Sequence, residues 1–371
     1  MNAFDFATLR RFPDIEAPNL FAADASDRLI LDEAEVALAG SAPGEVVVIG
    51  DGYGALTLGV AAMHGATGIR VFQDSIVSEQ ALAANAGEFE GYRNLPLGRE
   101  LLNGARIVLL HLPRALDELD EFAAAIAEFA DPTVTVYAGG RIKHMTTAMN
   151  DVLARYFSTV HVTHARQKSR VLVASAPRAV GPREVRREFH SEFGIWVCAT
   201  GAAFAGTRVD IGTRALLAVL DHAAPDARTA VDLGCGSGVV AAVLAKARPG
   251  IEVLATDVSA GAVASTLQTV EANGLANVTV LRDDSLASRA AGSVDLVLLN
   301  PPFHLGSTVH TGAASRLFAA AARVLAPGGE LWTVYNSHLG YRTELARVVG
   351  PTIEVSRNHK FTVTKSQARG K

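Results

Sequence analysis

Cysteine, aromatic residues and long apolar runs are all scarce in this chain. Only two cysteines, Cys198 and Cys235, stand among 371 residues, and neither belongs to a CxxC pair or a Cys/His cluster. A disulfide framework and a zinc site are thereby excluded, no metal is expected, and a reducing compartment fits. No run of 18 or more apolar residues is free of charge, so no membrane span is expected. The opening Met1-Asn2-Ala3-Phe4-Asp5 lacks a basic segment followed by an apolar one, so no secretory signal is read and a cytoplasmic location is expected. Aromatics make up 6% of the chain and charged residues 19%, whereas 49% is hydrophobic, which describes a well-packed α/β protein. Its length predicts two domains.

The net charge of −4 conceals an asymmetry. Residues 1–140 carry 8 Lys and Arg against 21 Asp and Glu, a balance of −13; residues 141–371 carry 26 against 17, a balance of +9. A basic second half suggests a polyanionic partner there.

The chain also repeats itself. Val46-Val47-Val48-Ile49-Gly50-Asp51-Gly52-Tyr53-Gly54 and Ala230-Val231-Asp232-Leu233-Gly234-Cys235-Gly236-Ser237-Gly238 each read as a buried strand running into a glycine-rich turn. An Ala/Leu-rich helix follows each, then a short strand ending in an acid, Asp74 or Asp257. Later come two fully apolar strands, one leading to His111-Leu112-Pro113 and the other to Asn300-Pro301-Pro302. Continuous apolar strands alternating with helices indicate a parallel sheet covered on both faces. The expected architecture is therefore α/β, with two tandem doubly wound, Rossmann-like domains: residues 1–180, then residues 190–371. The Pro- and Gly-containing segment 176–183 is the linker.

In the second copy the glycines of 234–238 let the backbone pass close to a ligand and place amide donors at a helix N-terminus. A dinucleotide site uses that arrangement for a pyrophosphate. Asp232, just before the loop, would face a cationic amino-acid group instead, which favours S-adenosylmethionine over NAD. Asp257 is placed to accept both hydroxyls of a ribose. Asp284 is preferred over Asp283 as acceptor for the exocyclic amine of adenine. Asp210 is a candidate for the border of the methionine end, with Thr213 as a helix cap. The cofactor-binding set is Asp210, Asp232, Gly234, Gly236, Gly238, Asp257, Asp284 and Asn300.

Asn300-Pro301-Pro302-Phe303 is the most specific signal, and it ends an apolar strand where doubly wound sheets place their ligands. A planar exocyclic nitrogen is a poor nucleophile because its lone pair is delocalised. The Asn300 side-chain oxygen and the Pro301 carbonyl can each accept one of its N–H groups and turn the lone pair towards an electrophilic methyl. Pro301 and Pro302 fix the backbone, and Phe303 offers a face on which a flipped base can stack. Positioning and electrostatics then carry the rate.

With His304 appended to that tetrapeptide, the chain resembles the ribosomal-RNA guanine-N2 methyltransferases of bacteria. Supporting matches are Asp210-Ile211-Gly212-Thr213, the loop 232–238, Asp257 and Asn336-Ser337-His338-Leu339-Gly340-Tyr341. The segment 336–341 and the ending Asn358-His359-Lys360-Phe361-Thr362-Val363 look closer to members acting on large-subunit (23S) RNA than to those acting on the small subunit (16S). The resemblance implies tandem class I methyltransferase folds with a degenerate, non-catalytic N-terminal copy. It also implies transfer of one methyl from S-adenosyl-L-methionine to the N2 of an rRNA guanine. His111-Leu112-Pro113 stands where the asparagine motif should be, so the first copy cannot orient an amine. The first copy is left with folding or RNA positioning. Methylation of a protein glutamine or of adenine N6 remains open on the motif alone, as does a non-catalytic RNA-binding or assembly factor.

Ribosomal RNA is the expected partner. Residues 141–195 hold ten Lys and Arg against four acids. Arg166, Lys168 and Arg170 alternate, which on a strand puts them on one face, and Arg183, Arg186 and Arg187 fall at helical spacing. These could neutralise phosphates, with Phe303 and His304 meeting the base.

Overall fold

The computed structural model describes residues 4–181, 185–201, 203, 205–301 and 311–370, with Thr311 described by its backbone only. Pro302, Phe303 and His304 therefore lie outside the described residues. Contacts divide the chain into two compact units, 1–184 and 185–371.

In the first unit the strands are β1 (Val46–Ile49), β2 (Ile69–Phe72), β3 (Tyr92–Asn94), β4 (Ile107–His111), β5 (Thr135–Arg141), β6 (Phe157–Val162) and β7 (Ser169–Pro177). Helices α1 (Ala25–Leu38), α2 (Ala55–His64), α3 (Ile76–Ala86), α4 (Arg99–Leu102), α5 (Leu116–Phe129) and α6 (Thr147–Tyr156) connect and cover them. The second unit opens with a hairpin, β8 (Arg186–His190) and β9 (Ile195–Ala199). Its main sheet follows as β10 (Thr229–Leu233), β11 (Glu252–Asp257), β12 (Val278–Arg282), β13 (Val294–Leu299), β14 (Leu325–Asn336), β15 (Thr352–Arg357) and β16 (Phe361–Gln367). Its helices are α7 (Ile211–Leu217), α8 (Val239–Ala247), α9 (Ala260–Ala272), α10 (Thr311–Val324) and α11 (Arg342–Val348).

The two main sheets have the same strand order, β3-β2-β1-β4-β5-β7-β6 and β12-β11-β10-β13-β14-β16-β15. The duplication read from the sequence is thus repeated strand for strand. One detail differs from a purely parallel sheet: β7 and β16 each run antiparallel to both neighbours. Short connections such as 163–168 and 358–360 can join only antiparallel strands, because a parallel return needs a long crossover.

Burial explains the apolar strands. Along β13, Leu296 and Leu298 join one core cluster while Val297 and Leu299 join the other. Successive side chains point to opposite faces and both faces are covered, so these four positions are apolar, whereas Asp295, near the strand start, accepts from the Arg228 and Thr229 amides. Strand order reverses between β1 and β4 and again between β10 and β13, making two switch points. Gly50 and His111 flank the first and Gly234 and Asn300 the second, since Ile49 pairs with Leu110 and Leu233 with Leu299.

Candidate active site

Asn300 directly follows β13 at the second switch point, and α7 lies against it. The Asn300 Nδ2 amine donates to Thr213 Oγ1 at 3.1 Å and to Asp210 Oδ2 at 3.4 Å. A carboxylate can only accept, so these contacts identify Nδ2 as the end bonded to Asp210 and Thr213. The opposite end, Oδ1, is buried and has no hydrogen-bond partner among the described residues. Leaving a buried acceptor unpaired costs about 1–3 kcal/mol. Such an atom in a native fold calls for an explanation, and a bound ligand supplies one. Space around it is tight: a Cβ on Gly212 would lie 3.3 Å from Asn300 Oδ1 and 2.9 Å from Asp210 Oδ2.

Asp210, not Thr213, caps α7. Its Oδ2 accepts from the Gly212 amide at 2.9 Å and from the Thr213 amide at 3.4 Å. One carboxylate thus serves both amides of the first turn, and the Thr213 hydroxyl stays available to hold Asn300. A second buried amide oxygen without a partner among the described residues, Asn336 Oδ1, sits at the end of the neighbouring strand β14. In the sequence Asn336 stands out only as part of the family resemblance at 336–341. An asparagine closing an apolar strand beside Asn300 is the signal that could have singled it out.

The glycine loop has its expected place but a different use of its amides. Gly234 and Cys235 both donate to the Thr256 carbonyl, Gly238 donates to the Cys235 carbonyl, and Gly236 donates to Asp257 Oδ2 at 3.0 Å. These amides hold the loop in shape rather than pointing at a ligand. The cradle itself survives: a Cβ on Gly236 would meet nothing within 4 Å, whereas one on Gly238 would come within 2.8 Å of Thr266 Cγ2. Gly238 also has φ +78°, so a side chain there is disfavoured twice. Asp257 sits at the end of β11, and its other oxygen accepts from the Ser259 amide at 3.0 Å.

Asp232 departs furthest from its expected role. Its carboxyl is only 4% exposed and Oδ2 accepts from the Ala241 amide, in the first turn of α8, at 2.9 Å. It lies under the loop and fastens α8, rather than standing in front of the loop to meet a cationic group. Burial pushes its pKa up to about 7, the Asp257 charge adds to the rise, and the Ala241 amide opposes it. An acid whose folded pKa exceeds its unfolded one stabilises fully below the unfolded value and loses that contribution as pH rises through the folded one. Asp232→Asn should therefore gain Tm relative to the parent as pH climbs from about 4 to about 8. Thermal scans across that range test this, and a Tm difference independent of pH would refute it.

Asp283 and Asp284 differ in their settings. Asp283 turns inward, accepting from the Ser288 amide and hydroxyl at 3.2 and 2.7 Å. Asp284 keeps a partly open carboxylate, paired with Arg316 at 3.2 Å and bonded by the Ser285 hydroxyl at 2.8 Å.

Two basic patterns need correction. Arg166 and Ser169 bridge across a tight turn in which Gln167 and Lys168 take φ of +47° and +61°. Arg166, Lys168 and Arg170 therefore do not share a strand face; only Arg170 lies in β7, and Arg166 pairs with Asp32 at 2.9 Å and Glu33 at 3.8 Å. Arg186 and Arg187 lie on β8, not on a helix, and Arg183 is outside the described residues.

In the first unit His111 takes the strand position that Asn300 holds in the second. It faces the equivalent helix start, with Nε2 at 3.4 Å from Ser26 Oγ and 4.0 Å from Asp27 Oδ1. Asp24 and Asp27 form a reciprocal capping box on α1, the position of Asp210 and Thr213. Helix α2 is fastened by Asp51, from within the glycine loop, through the Leu56 and Thr57 amides at 2.9 and 2.8 Å. The same fastening in the second unit comes from Asp232, on the strand. Both copies need a buried acid under that helix, and each draws it from a different place.

Residues 1–178 match the model of the RLMG N-terminal domain and residues 194–365 that of the Methyltransferase small domain. Two relatives named Ribosomal RNA large subunit methyltransferase G match nearly end to end. The one from Streptomyces coelicolor is 35% identical, covering 96% of this chain and 97% of its own. The one from Pseudomonas aeruginosa is 34% identical, covering 96% of each. The chain belongs to this methyltransferase G family. Among solved structures, a T. thermophilus 16S rRNA N2 methyltransferase determined with AdoMet and guanosine shares the fold at TM-score 0.74. It is 21% identical and covers 96% of this chain and 97% of its own. Membership in the methyltransferase G family agrees with the large-subunit leaning of the segments around 336–341 and 358–363. It also agrees with the tandem class I fold expected from the repeat. No helix among the described residues is long and apolar enough to cross a membrane.

Proposed function

We propose that this chain transfers a methyl group from S-adenosyl-L-methionine to the exocyclic N2 of a guanine in ribosomal RNA, 23S rather than 16S. The observation that carries the reading is the buried Oδ1 of Asn300 at the switch point, which has no partner among the described residues. Its donor end is already committed to Thr213 and Asp210, so the free end can only accept. An acceptor held that way suits an N–H of an amino group, with the Pro301 carbonyl as second acceptor.

The residues present fit the cofactor. The open face of the loop at Gly234 and Gly236 admits close approach, the Asp257 carboxylate suits a ribose, Asp284 an adenine amine, and Asp210 the amino-acid end. When bound, S-adenosyl-L-methionine supplies an electrophilic methyl. The chain's own residues orient the amino group, exclude alternative poses and leave the product amine to lose its proton to solvent. Asp232 acts through α8 and supports the loop from beneath.

Catalysis is assigned to residues 190–371 and a non-catalytic role in folding or RNA positioning to 1–180. His111, held against Ser26 and Asp27, offers no amide oxygen where the second copy has one. Phe303, His304, Lys168 and Arg170 remain candidates for RNA contact, while Arg166 is the weakest because its charge is spent on Asp32 and Glu33. The relatives' names state the large ribosomal subunit, which supports 23S RNA and a cytoplasmic place of action.

Labelled S-adenosyl-L-methionine incubated with ribosomal RNA and protein from cells lacking this chain tests the acceptor. Label in 23S RNA is expected; label in protein with none in either ribosomal RNA overturns the reading.

A further inference from the structure

The β8–β9 hairpin forms a two-stranded sheet apart from the main one. It is rigidly anchored on its inner side. Ile195 and Val197 enter the core, and the edge of β9 is fastened to α9. The Trp196 amide donates to Asn273 Oδ1 at 2.9 Å, Asn273 Nδ2 donates back to the Trp196 carbonyl at 2.7 Å, and the Cys198 amide donates to Thr269 Oγ1 at 2.9 Å.

The outer face is different. Phe189 and Trp196 are directly paired across the two strands, with ring centroids 5.2 Å apart and planes tilted by 53°. The Arg187 guanidinium lies 5.2 Å from the Trp196 ring centroid. Phe189 is nevertheless 50% exposed and Trp196 37%. A cross-strand aromatic pair stabilises a hairpin by under about 1 kcal/mol, and this hairpin is already tied to the core and to α9. Stability alone therefore gives little reason to hold two aromatic rings and a guanidinium plane rigid in water.

We propose that Arg187, Phe189 and Trp196 form a stacking platform for unpaired bases of the RNA substrate, an inference that rests on the RNA reading above. Every base has a π-face, so aromatic rings and guanidinium planes grip single-stranded RNA with little sequence preference. Arg187 in the face itself, on a unit with 18 Lys and Arg against 15 Asp and Glu, favours such a polyanion over an apolar protein surface. Trp196 sits beside Asn273, at the far end of α9, whereas Thr200 bonds Gly261 near the start that follows Asp257. Twelve helical residues separate those points, about 18 Å at 1.5 Å per residue. The platform thus holds RNA flanking the target and does not touch the reacting amine.

The chain has two tryptophans, and Trp332 is 2% exposed, so Trp196 reports on its own face. Titration of the full chain with a short single-stranded oligoadenylate should quench tryptophan emission. Trp196→Phe should bind it comparably without the quench. The double variant Phe189→Leu/Trp196→Leu should lose about tenfold or more in affinity. It should also raise KM for ribosomal RNA without lowering kcat, weakening S-adenosyl-L-methionine binding or shifting Tm by more than a few degrees. Phe189→Tyr/Trp196→Phe should restore binding, which a purely packing role would not require. Unchanged oligoadenylate affinity in the leucine pair overturns the platform. So does a defect seen only with assembled subunits, which would indicate a protein partner. If the parent chain methylates no ribosomal RNA, the functional reading falls and takes the platform with it. If the parent methylates it and the leucine pair leaves KM unchanged, the platform falls alone.

Discussion

Replacing Asn300 by Ala should lower kcat by about 10²- to 10³-fold, the usual cost of removing one preorganised polar group from a reacting centre. Cofactor affinity should change little, because the free Oδ1 is assigned to the acceptor amine and the loop, Asp257 and Asp284 remain. Stability should not suffer much either. The substitution removes a buried oxygen that has no partner among the described residues, and it frees Thr213 and Asp210, both only partly buried. Single-turnover transfer with saturating cofactor, alongside calorimetric titration of the cofactor, separates these effects. A variant that transfers at the parent rate would remove Asn300 from the chemistry. Asn300→Asp should fare almost as badly, since a carboxylate next to Asp210 adds a like charge and removes the donor that Thr213 accepts from.

Asp257→Ala should weaken cofactor binding by about a hundredfold or more, because two charge-assisted hydrogen bonds to a ribose are each worth about 1.5–3 kcal/mol. Part of the loss comes from the loop itself, since Asp257 also accepts from the amides of Gly236 and Ser259, each at 3.0 Å. Asp257→Asn tells the two apart: its oxygen can keep one loop amide while losing the charge the ribose hydroxyls require. Binding by calorimetry should fall steeply in both, with kcat at saturating cofactor largely kept. An Ala variant that binds as tightly as the parent would move the ribose elsewhere.

The parallel core of each sheet was legible because strands buried on both faces are apolar along most of their length, as in Leu296–Leu299. The Asn300-Pro301-Pro302-Phe303 motif stood out in the sequence, but not which end of the Asn300 amide bonds Thr213 and Asp210; that depends on α7, which is remote in sequence. Asp232 misled because an acid that fastens a helix and an acid that meets a ligand look identical in a string of letters. Asp51 shows the same ambiguity from the other copy. Alternation of Arg166, Lys168 and Arg170 mimicked a strand because Gln167 and Lys168 turn with positive φ, without the glycine or asparagine that normally announces such a turn. Arg183, Arg186 and Arg187 happened to have helical spacing, while the aromatic pair that marks the hairpin, Phe189 with Trp196, becomes visible only once the strands are in register.

The most direct test of the central claim is the chemical identity of the methylated product. Ribosomal RNA from cells lacking this chain should be methylated by the purified protein, digested to nucleosides and resolved by mass spectrometry against standards. The account predicts N2-methylguanosine from the 23S fraction, and none when Asn300→Ala replaces the parent. N6-methyladenosine as the labelled nucleoside, or label confined to protein glutamine, would contradict it.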